Sequence, residues 1–319
     1  MMFSDVPVLS DAGDNEKNKT EKSTLYLVAT PIGNLSDLSP RALKVLSECD
    51  FVAAEDTRNT LRLLTHFGIR RELVSYHEHN KAMRGPEICD RLAAGECCAL
   101  VTDAGMPAVS DPGEDIVRLC AERGIAVSAI PGCCAAVTAL SLSALATGRF
   151  VFEGFLPVPK KERTGRLAAI AREERTVILY EAPHRLARTL SDLCAVLPAD
   201  RRITLCRELT KRNEEVCRTT IAEALSGCSE RPPRGEYVLI LEGKEEYAAR
   251  LPDSGAASDS SAVSPAQMTE SPADAVARLE SAGHTRKEAI KAAAAERGMS
   301  KSAFYGLLIA QKNGTDESD

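Results

Sequence analysis

The chain has 319 residues, of which 44% are hydrophobic and 27% charged, as in an ordinary soluble protein of two domains and perhaps a small third. Its formal net charge is −6, and only 4% of its residues are aromatic, with no Trp. These values exclude a protein that binds nucleic acid through overall positive charge or an aromatic platform, but they allow a local basic face. The N-terminus has no signal-peptide pattern and no apolar run is long enough to span a membrane, so we expect a cytoplasmic protein with no membrane partner.

The 11 cysteines fall at no regular spacing, and no C-x-x-C motif occurs. Disulfide scaffolds and zinc knuckles both need a repeating framework of cysteines. We therefore expect free thiols and no metal site.

The pattern of the first half predicts an α/β lobe over residues 24–147. Residues 1–23 are polar and aperiodic, which predicts a disordered tail. Strands are predicted at 24–29, 51–55, 97–103 and 125–132, and helices at 40–49, 57–67, 80–95, 112–124 and 133–146. Runs this apolar are buried on both faces, which indicates a parallel sheet covered by helices. Ser39-Pro40 and Asp111-Pro112 each predict an N-cap followed by proline at the first helical position.

A second α/β lobe is predicted over residues 148–246, with a linker at 247–271 that is rich in Ser, Ala, Asp and Pro. Its strands are predicted at 149–156, 176–182, 202–208, 215–220 and 235–243, and its helices at 160–173, 184–197 and 221–228. Several links are too short for a helical crossover, so this sheet should be mixed or partly antiparallel. Residues 272–313 predict three short helices, either a helix-turn-helix bundle or a stabilising appendage, followed by a tail at 314–319.

Turn-rich segments follow four of the predicted strands, at residues 30–37, 103–113, 131–136 and 180–185. In open α/β sheets ligands bind beyond the carboxyl ends of the strands. Neither a G-x-G-x-x-G nor a G-x-x-x-x-G-K-[ST] motif is present, so nothing is arranged to hold phosphates. A nucleoside cofactor without phosphates fits such backbone-lined loops better.

The order of nine motifs resembles that of the ribosomal RNA small subunit methyltransferase I family, the 16S rRNA cytidine-2′-O-methyltransferases of the tetrapyrrole-methylase-like superfamily. The motifs are TPIGNLSD, AAEDTRNT, SYHEHN, TDAGMPAVSDPG, PGCCAA, FEGFLP, YEAPHR, CRELTK and RGEYVLILEG. The chain departs from the family pattern at Met106, Cys133 and Arg234. The resemblance implies two α/β lobes with a cofactor cleft between them, plus the small C-terminal helical domain, and it implies a homodimer.

The resemblance also implies where S-adenosylmethionine binds. The cofactor positions carried over from the superfamily are Pro31, Ile32, Asp103, Ala104, Gly105, Met106, Val109, Cys134, Ala135 and Tyr180. A Cβ at Gly105 would push a ligand away, although an ordinary turn glycine is the alternative. Asp103 is suited to accept hydrogen bonds from the cofactor, or else it forms an Asx-turn in its own loop.

Methylation of a ribose 2′-hydroxyl needs a base near the cleft, because the hydroxyl is a poor nucleophile until its proton is removed. Glu55 and Glu181 are the preferred candidates, with Arg58 orienting a phosphate or carboxylate. Asp56 either joins them or caps the following helix. The implied substrate is cytidine 1402 of 16S rRNA within the 30S subunit.

RNA binding requires local positive charge, which the chain offers in several segments. The predicted RNA-binding residues are His77, His79, Lys160, Lys161, Arg163, Lys211, Arg212 and Arg234. Solvated charges on helix faces are the alternative for part of this set. His77 and His79 lie two apart on an extended segment, but no third metal ligand accompanies them.

Two other functions are consistent with the pattern. A precorrin-type C-methyltransferase would have an acidic or neutral cleft rim and no use for basic residues. A non-catalytic RNA-binding or ribosome-assembly module would bind RNA without consuming the cofactor.

Overall fold

The computed structural model of the protein describes residues 19–251, 271–281, 283–296 and Phe304. Two units are distinguished, one ending at Arg250 and one beginning at Leu251. The first unit contains two α/β lobes, and the described part of the second is helical. No helix in these ranges is long and apolar enough to cross a membrane.

The first lobe is a parallel five-stranded sheet in the order β3-β2-β4-β1-β5. The strands are β1 (Thr24–Val28), β2 (Phe51–Ala54), β3 (Glu72–Ser75), β4 (Cys98–Val101) and β5 (Ala126–Ile130). The helices are α1 (Pro40–Glu48), α2 (Thr57–His66), α3 (Lys81–Ala93), α4 (Glu114–Glu122) and α5 (Ala135–Leu142), with a 3-10 turn at Leu35–Asp37. The predicted α/β class and the parallel sheet are confirmed.

Successive side chains of the buried strands face opposite sides of the sheet, so the first lobe has two hydrophobic cores. Val52 and Ala54 of β2 face α1 and α2, whereas Phe51 and Ala53 face α3 and α4. Helices cover both sides of β2 and β4, so every residue of these strands is buried and apolar. As predicted, α1 begins with Pro40, and the Ser39 hydroxyl accepts a hydrogen bond from the Ala42 amide at 3.1 Å.

The second lobe is a mixed sheet in the order β6-β7-β10-β8-β9, in which only β6 and β7 are parallel. Its strands are β6 (Phe150–Phe155), β7 (Thr176–Glu181), β8 (Arg202–Arg207), β9 (Glu215–Thr220) and β10 (Tyr237–Leu241). Its helices are α6 (Lys160–Arg172), α7 (Pro183–Val196), α8 (Ile221–Glu230) and α9 (Lys244–Arg250).

The two faces of the second sheet have different partners. One face packs on α6, α7 and α8 through residues such as Val177 and Leu179. The other face, which includes Ile178 and Tyr180, packs on α5 of the first lobe. This contact joins the lobes and fixes which side chains of β7 point toward the first lobe.

Two predicted boundaries need correction, and one strand was not predicted. Residues 19–23 are not a free tail, because the Lys22 ammonium binds the Asp50 carboxylate at 2.9 Å; residues 1–18 lie outside the described residues. The linker does not begin at 247, since α9 continues to Arg250 and the Tyr247 hydroxyl donates to Asp200 at 2.8 Å. The short edge strand β3 was not predicted, because it has only four residues and none of them is fully buried.

The second unit contains α10 (Pro272–Ser281) and α11 (Arg286–Glu296) in its described part. Ala275, Leu279 and Ile290 are buried between them, together with Phe304. The predicted third helix, apart from Phe304, lies outside the described residues, and so does most of the linker. The helix-turn-helix interpretation stays a prediction.

Candidate active site

Loops after β1, β4 and β5 meet around Gly105. Its amide and carbonyl pair with Thr30 in both directions, at 3.0 and 2.9 Å. Gly105 has a φ of +88°, and a Cβ added there would lie 3.5 Å from Ile32 Cγ2 and 3.6 Å from the Cys133 carbonyl oxygen. Glycine is needed for this backbone conformation, and its missing side chain leaves space between three loops. This is where Pro31 and Ile32 were predicted to contact the cofactor.

The loop after β4 reaches the second lobe. Ala108 and Ser110 both have positive φ, at 67° and 61°, and the Ala108 amide donates to the Pro112 carbonyl at 3.3 Å. Gly154, at an irregularity in β6, is so close that a Cβ there would be 2.9 Å from Ser110 Oγ. The loop is therefore held in a strained shape by the opposite lobe. Of the predicted cofactor residues that it carries, Ala104 and Val109 are exposed and Met106 is half-buried.

Tyr180 lies on the second-lobe side of the surface formed by the predicted cofactor residues. Its hydroxyl oxygen accepts from the Ala136 amide at 3.2 Å, and its ring packs edge-on against Phe152 and Phe155. Burial raises the pKa of Tyr180 to about 12, so the hydroxyl stays protonated and can donate. Cys134 and Ala135, at the start of α5, belong to the same cluster as Ile32 and Tyr180. The structure thus brings the predicted cofactor residues of both lobes together.

Three carboxylates, Glu55, Asp103 and Asp111, lie at the edge of these loops. Glu55 Oε2 accepts from the Asp103 amide at 3.4 Å, and Asp103 Oδ2 accepts from Asn59 Nδ2 at 3.0 Å. Burial raises the pKa of Glu55. Burial also raises the pKa of Asp111 to about 6, assisted by the charges of Glu55 and Asp103. Two carboxylates near the predicted cofactor surface therefore have pKa values shifted toward neutrality.

Asp111 was missed as a site residue. Its position before Pro112 predicted a helix N-cap, but α4 begins at Glu114 and its N-cap is Gly113, with a φ of 144°. The Asp111 side chain is consequently free to enter the carboxylate group. No sequence pattern indicated this, because the loop geometry depends on contacts with the second lobe.

Arg58 is engaged by Asp56. Its guanidinium donates to both carboxylate oxygens, at 3.0 and 2.7 Å, and the same carboxylate caps α2 by accepting from the Arg58 amide at 2.8 Å. Hydrogen bonds from Arg58 lower the pKa of Asp56 to about 2. The capping interpretation of Asp56 is confirmed. Arg58 is 85% exposed and lies beside the carboxylate group, but no ligand-orienting role follows from this pairing.

Glu181 points away from the predicted cofactor surface. It follows Tyr180 on β7, and successive strand side chains face opposite sides of a sheet. Its buried carboxylate accepts from the Thr189 hydroxyl at 2.5 Å and lies 3.4 Å from Arg185 Nε. Glu181 therefore belongs to a structural network behind the sheet, and we no longer regard it as a candidate base.

The same network holds Arg163, which was predicted to contact RNA. Arg163 is only 4% exposed and donates to Thr189 Oγ1 at 2.8 Å and to Asp192 Oδ2 at 2.6 Å. A guanidinium enclosed in this way has no access to a phosphate. Its role is to bridge α6 and α7.

A cavity of about 230 Å³ opens beside the carboxylates. It is lined by Thr30, Pro31, Leu35, Asn59, Thr60, Arg62, Leu63, Thr102 and Asp103. Arg62 and Asn59 were not predicted, although their spacing of three residues places them on one face of α2. The cavity and the predicted cofactor surface share Pro31 and Asp103.

Comparison with known proteins identifies the family. The sequence profile of the tetrapyrrole (corrin/porphyrin) methylases matches residues 24–225. A ribosomal RNA small subunit methyltransferase I of Halalkalibacterium halodurans is 45% identical over 294 residues, which cover 91% of this chain and 96% of that protein. One from Synechocystis sp. is 51% identical over 219 residues, or 69% and 78% of the two chains. The chain belongs to the ribosomal RNA small subunit methyltransferase I family.

Membership in the ribosomal RNA small subunit methyltransferase I family confirms the predicted fold class, enzyme class and S-adenosylmethionine as methyl donor. The two alternative functions lose their support. A solved uroporphyrin-III C-methyltransferase of Thermus thermophilus, in complex with S-adenosylhomocysteine, is 18% identical with a TM-score of 0.50. That likeness covers 69% of this chain and 97% of the other and concerns the fold alone.

The remaining basic residues differ in their availability to RNA. Lys160, Lys161, Arg212 and Arg234 have exposed side chains. Lys211, in contrast, binds Glu208 at 3.0 Å and Glu236 at 2.8 Å, and its aliphatic chain fills the place that a Cβ of Gly33 would occupy. This lysine of the methyltransferase braces the loop after β1 against the second lobe.

His77 and His79 follow β3, the strand next to β2. Their rings are 6.1 Å apart, and His77 Nδ1 is buried without a hydrogen-bond partner among the described residues. His77 is close enough for its charge to lower the pKa of Glu55, against the larger effect of burial. His77 thus borders the carboxylate group, whereas His79 is exposed.

Proposed function

We propose that this protein transfers a methyl group from S-adenosylmethionine to the 2′-hydroxyl of cytidine 1402 in 16S rRNA, within the 30S subunit in the cytoplasm. The observation that carries the proposal is the 45% identity to a ribosomal RNA small subunit methyltransferase I across 96% of that protein. The position of the nucleotide and the ribose oxygen come from the motif resemblance.

The predicted cofactor residues fit S-adenosylmethionine because the surface is backbone-rich and lacks phosphate-binding motifs. Gly105 leaves room between Ile32 and the Cys133 carbonyl, and Tyr180 has a protonated hydroxyl to donate. We place the cofactor against Pro31, Ile32, the loop 103–109, Cys134–Ala135 and Tyr180. When bound, it supplies an electrophilic methyl group on a sulfonium.

Glu55 is the proposed general base. Burial raises its pKa, and a base whose pKa approaches the working pH combines the ionised form with proton affinity. Its carboxylate takes the proton from the 2′-hydroxyl; with S-adenosylmethionine bound, the bond between the methyl carbon and sulfur would break as the bond to that oxygen forms, leaving S-adenosylhomocysteine. The Asp103 amide donates to Glu55, and the negative charge of the Asp103 carboxylate opposes loss of the proton from Glu55.

The exposed cations Lys160, Lys161, Arg212 and Arg234 are the proposed contacts to RNA phosphates, with His77 and His79 near the reacting ribose. A homodimer is supported by β5, which forms an edge of its sheet and exposes Ala126, Val127 and Ala129. Proteins usually cover an unpaired strand edge with exposed apolar groups.

The test uses radiolabelled S-adenosylmethionine and 30S subunits from a strain that lacks the protein. A 2′-O-methyl group blocks alkaline cleavage at its nucleotide, so we expect label in one alkali-stable dinucleotide that begins with cytidine. Absence of transfer, or label released with mononucleotides, would overturn the proposal.

The Glu55→Gln variant tests the base. General base catalysis contributes about 10²–10⁴-fold, so we expect kcat to fall at least about 100-fold while S-adenosylmethionine affinity, measured by calorimetry, stays the same. Glu174→Gln, at an exposed position in the second lobe, is the matched control. Full activity of Glu55→Gln would exclude Glu55 as the base.

A further inference from the structure

Three sequence motifs, TPIGNLSD, CRELTK and RGEYVLILEG, meet at the loop after β1, although the last two supply no residue to the proposed cofactor site. Residues 33–37 of this loop are exposed. Its ends are held, because Thr30 pairs with Gly105 and the Asp37 carbonyl oxygen accepts from Cys133 Sγ at 3.6 Å. The conformation of the part between them depends on what lies against it.

Lys211 of the second lobe lies across the middle of this loop. A Cβ added at Gly33 would be 2.3 Å from Lys211 Cγ, 3.1 Å from Cδ and 2.9 Å from Cε, so three methylene groups pass directly over Gly33. Gly33 follows Ile32, whose Cγ2 would be 3.5 Å from a Cβ added at Gly105. The second lobe therefore contacts this loop one residue beyond a proposed cofactor residue.

Two carboxylates hold the ammonium group of Lys211. Its Nζ binds Glu208 Oε1 at 3.0 Å and Glu236 Oε2 at 2.8 Å, and the Lys211 side chain is only 29% exposed. The hydrogen bond from the Glu236 amide lowers the pKa of Glu208, so this acceptor is ionised at neutral pH. A lysine side chain has many rotamers, and fixing its end restricts them. The methylene groups are thereby kept over Gly33.

The segment that carries Lys211 has an unusual backbone. Glu208 and Thr210 have φ values of 51° and 65°, which residues other than glycine seldom adopt. The Glu208 amide donates to the Glu236 carbonyl and its Oε1 accepts from the Glu236 amide, both at 3.0 Å. A Cβ added at Gly235, which has a φ of 77°, would be 2.5 Å from Glu208 Cγ, so glycine is needed beside this pair. Backbone strain of this kind persists where the surroundings impose it, and it clusters at functional sites.

We propose that Lys211 is a positioning residue for S-adenosylmethionine, whose methylene groups hold the loop after β1 in the conformation that binds the cofactor. The inference rests on the proposed function, since it concerns the loop that we place against the cofactor at Pro31 and Ile32. A protein binds its ligand more weakly in proportion to the fraction of molecules that are not in the competent conformation. Lys211 keeps the loop in that conformation before the cofactor arrives.

Positioning and the RNA contact that the sequence predicted use different parts of the Lys211 side chain. A phosphate contact needs the ammonium group, whereas positioning needs the methylene groups over Gly33. Methionine is unbranched and apolar, and its Cγ, Sδ and Cε take the places of the lysine Cγ, Cδ and Cε without the charge. Alanine lacks all three atoms. Lys211→Met and Lys211→Ala therefore separate the two roles.

The experiment measures the affinity of both variants for S-adenosylmethionine by calorimetry, and for 30S subunits by filter binding at saturating cofactor. We expect Lys211→Ala to raise the Kd for S-adenosylmethionine at least about tenfold and Lys211→Met to stay within about threefold of the unaltered protein. The Kd for 30S subunits should change by less than about twofold in both variants, because the ammonium group is already paired. Lys244→Ala, at an exposed lysine of the same lobe, is the matched control and should leave both affinities unchanged.

Thermal unfolding separates positioning from stability. Both variants lose the same ion pairs, so their Tm values should agree within about 2 °C although only Lys211→Ala loses cofactor affinity. Unchanged cofactor affinity in Lys211→Ala, or an equal loss in Lys211→Met, would overturn the proposal. Loss of 30S affinity in both variants with cofactor affinity retained would also overturn it and restore the RNA contact. Absence of methyl transfer by the unaltered protein would instead contradict the proposed function, because these measurements need no methyl transfer.

Discussion

Asp111→Asn should stabilise the protein, because it removes a carboxylate from a half-buried acidic group. The pKa of Asp111 rises from 3.8 to about 6, chiefly by burial and then by the charges of Glu55 and Asp103. At about 1.36 kcal/mol per pKa unit, a shift of roughly two units corresponds to at most about 3 kcal/mol. Asp111 is partly open to solvent, so we reduce this to about 1 kcal/mol.

The direction of the pH dependence follows from which protonation state of Asp111 the folded protein favours. A raised pKa means that the folded protein favours protonated Asp111, so its contribution to stability is present below pH 3.8 and is lost as the pH rises through about 6. At pH 8 the native carboxylate is ionised and unfavourable, and asparagine avoids this. The gain from Asp111→Asn should therefore be largest at pH 8 and about half as large at pH 5.

Thermal unfolding at the two pH values measures the effect. A gain of about 1 kcal/mol corresponds to a rise in Tm of about 2–4 °C for a unit of this size. Glu174→Gln, which removes an exposed carboxylate, is the control and should leave Tm within about 1 °C at both pH values. A Tm at pH 8 that is unchanged or lower in Asp111→Asn would refute the reasoning that Asp111 is held in a desolvated cluster.

Three further outcomes are expected. Gly105→Leu should weaken S-adenosylmethionine binding at least about tenfold by calorimetry, because the new side chain enters the space between the loops. It should also cost about 1 kcal/mol of stability, since a φ of +88° disfavours a side chain. Unchanged affinity would contradict our placement of the cofactor. Arg163→Ala should lower the free energy of unfolding by about 3 kcal/mol, because Thr189 and Asp192 lose the hydrogen bonds that the nearly buried guanidinium donates, and the 30S affinity of the folded fraction should persist; a variant that folds normally but loses RNA would restore the predicted RNA contact. The kcat/KM should rise with pH and level off once Glu55 is ionised, with a midpoint above the ordinary glutamate pKa because burial raises it; a rate that does not fall on the acid side would argue against a carboxylate base.

Most strands and helices were predictable because strands that are buried on both faces have continuous apolar sequences. β2 and β4 are wholly apolar, and their helices carry caps such as Ser39. β3 has no such apolar run, since it is an edge strand of four partly or fully exposed residues. Its existence depends on pairing with β2, which is a non-local contact.

Two errors in the site could have been avoided from periodicity alone. Tyr180 and Glu181 are neighbours on β7, so only one of them can face the first lobe, and the aromatic residue does. Arg163 precedes Leu167 by four residues and Ile170 by seven, which places it on the buried stripe of α6. Neighbouring apolar positions were the available signal in both cases.

Asp111 is a different case, because its surroundings depend on contacts between distant segments. Asp111 lies in a loop that also approaches the other lobe, where a Cβ added at Gly154 would be 2.9 Å from Ser110 Oγ. Sequence identifies the loops that carry the site, while packing between the lobes decides which side chains of those loops face one another.

The carboxylate group also explains how an acidic protein can act on RNA. Negative charge near a polyanion opposes binding. Here burial raises the pKa of Glu55 and of Asp111, and the charges of Glu55 and Asp103 add to the rise at Asp111, so proton affinity is raised beside the proposed base. Asp111→Asn should stabilise the fold, because it removes the carboxylate on which burial and the charges of Glu55 and Asp103 act. The exposed cations lie on other segments, so binding of the RNA backbone and proton removal can change independently.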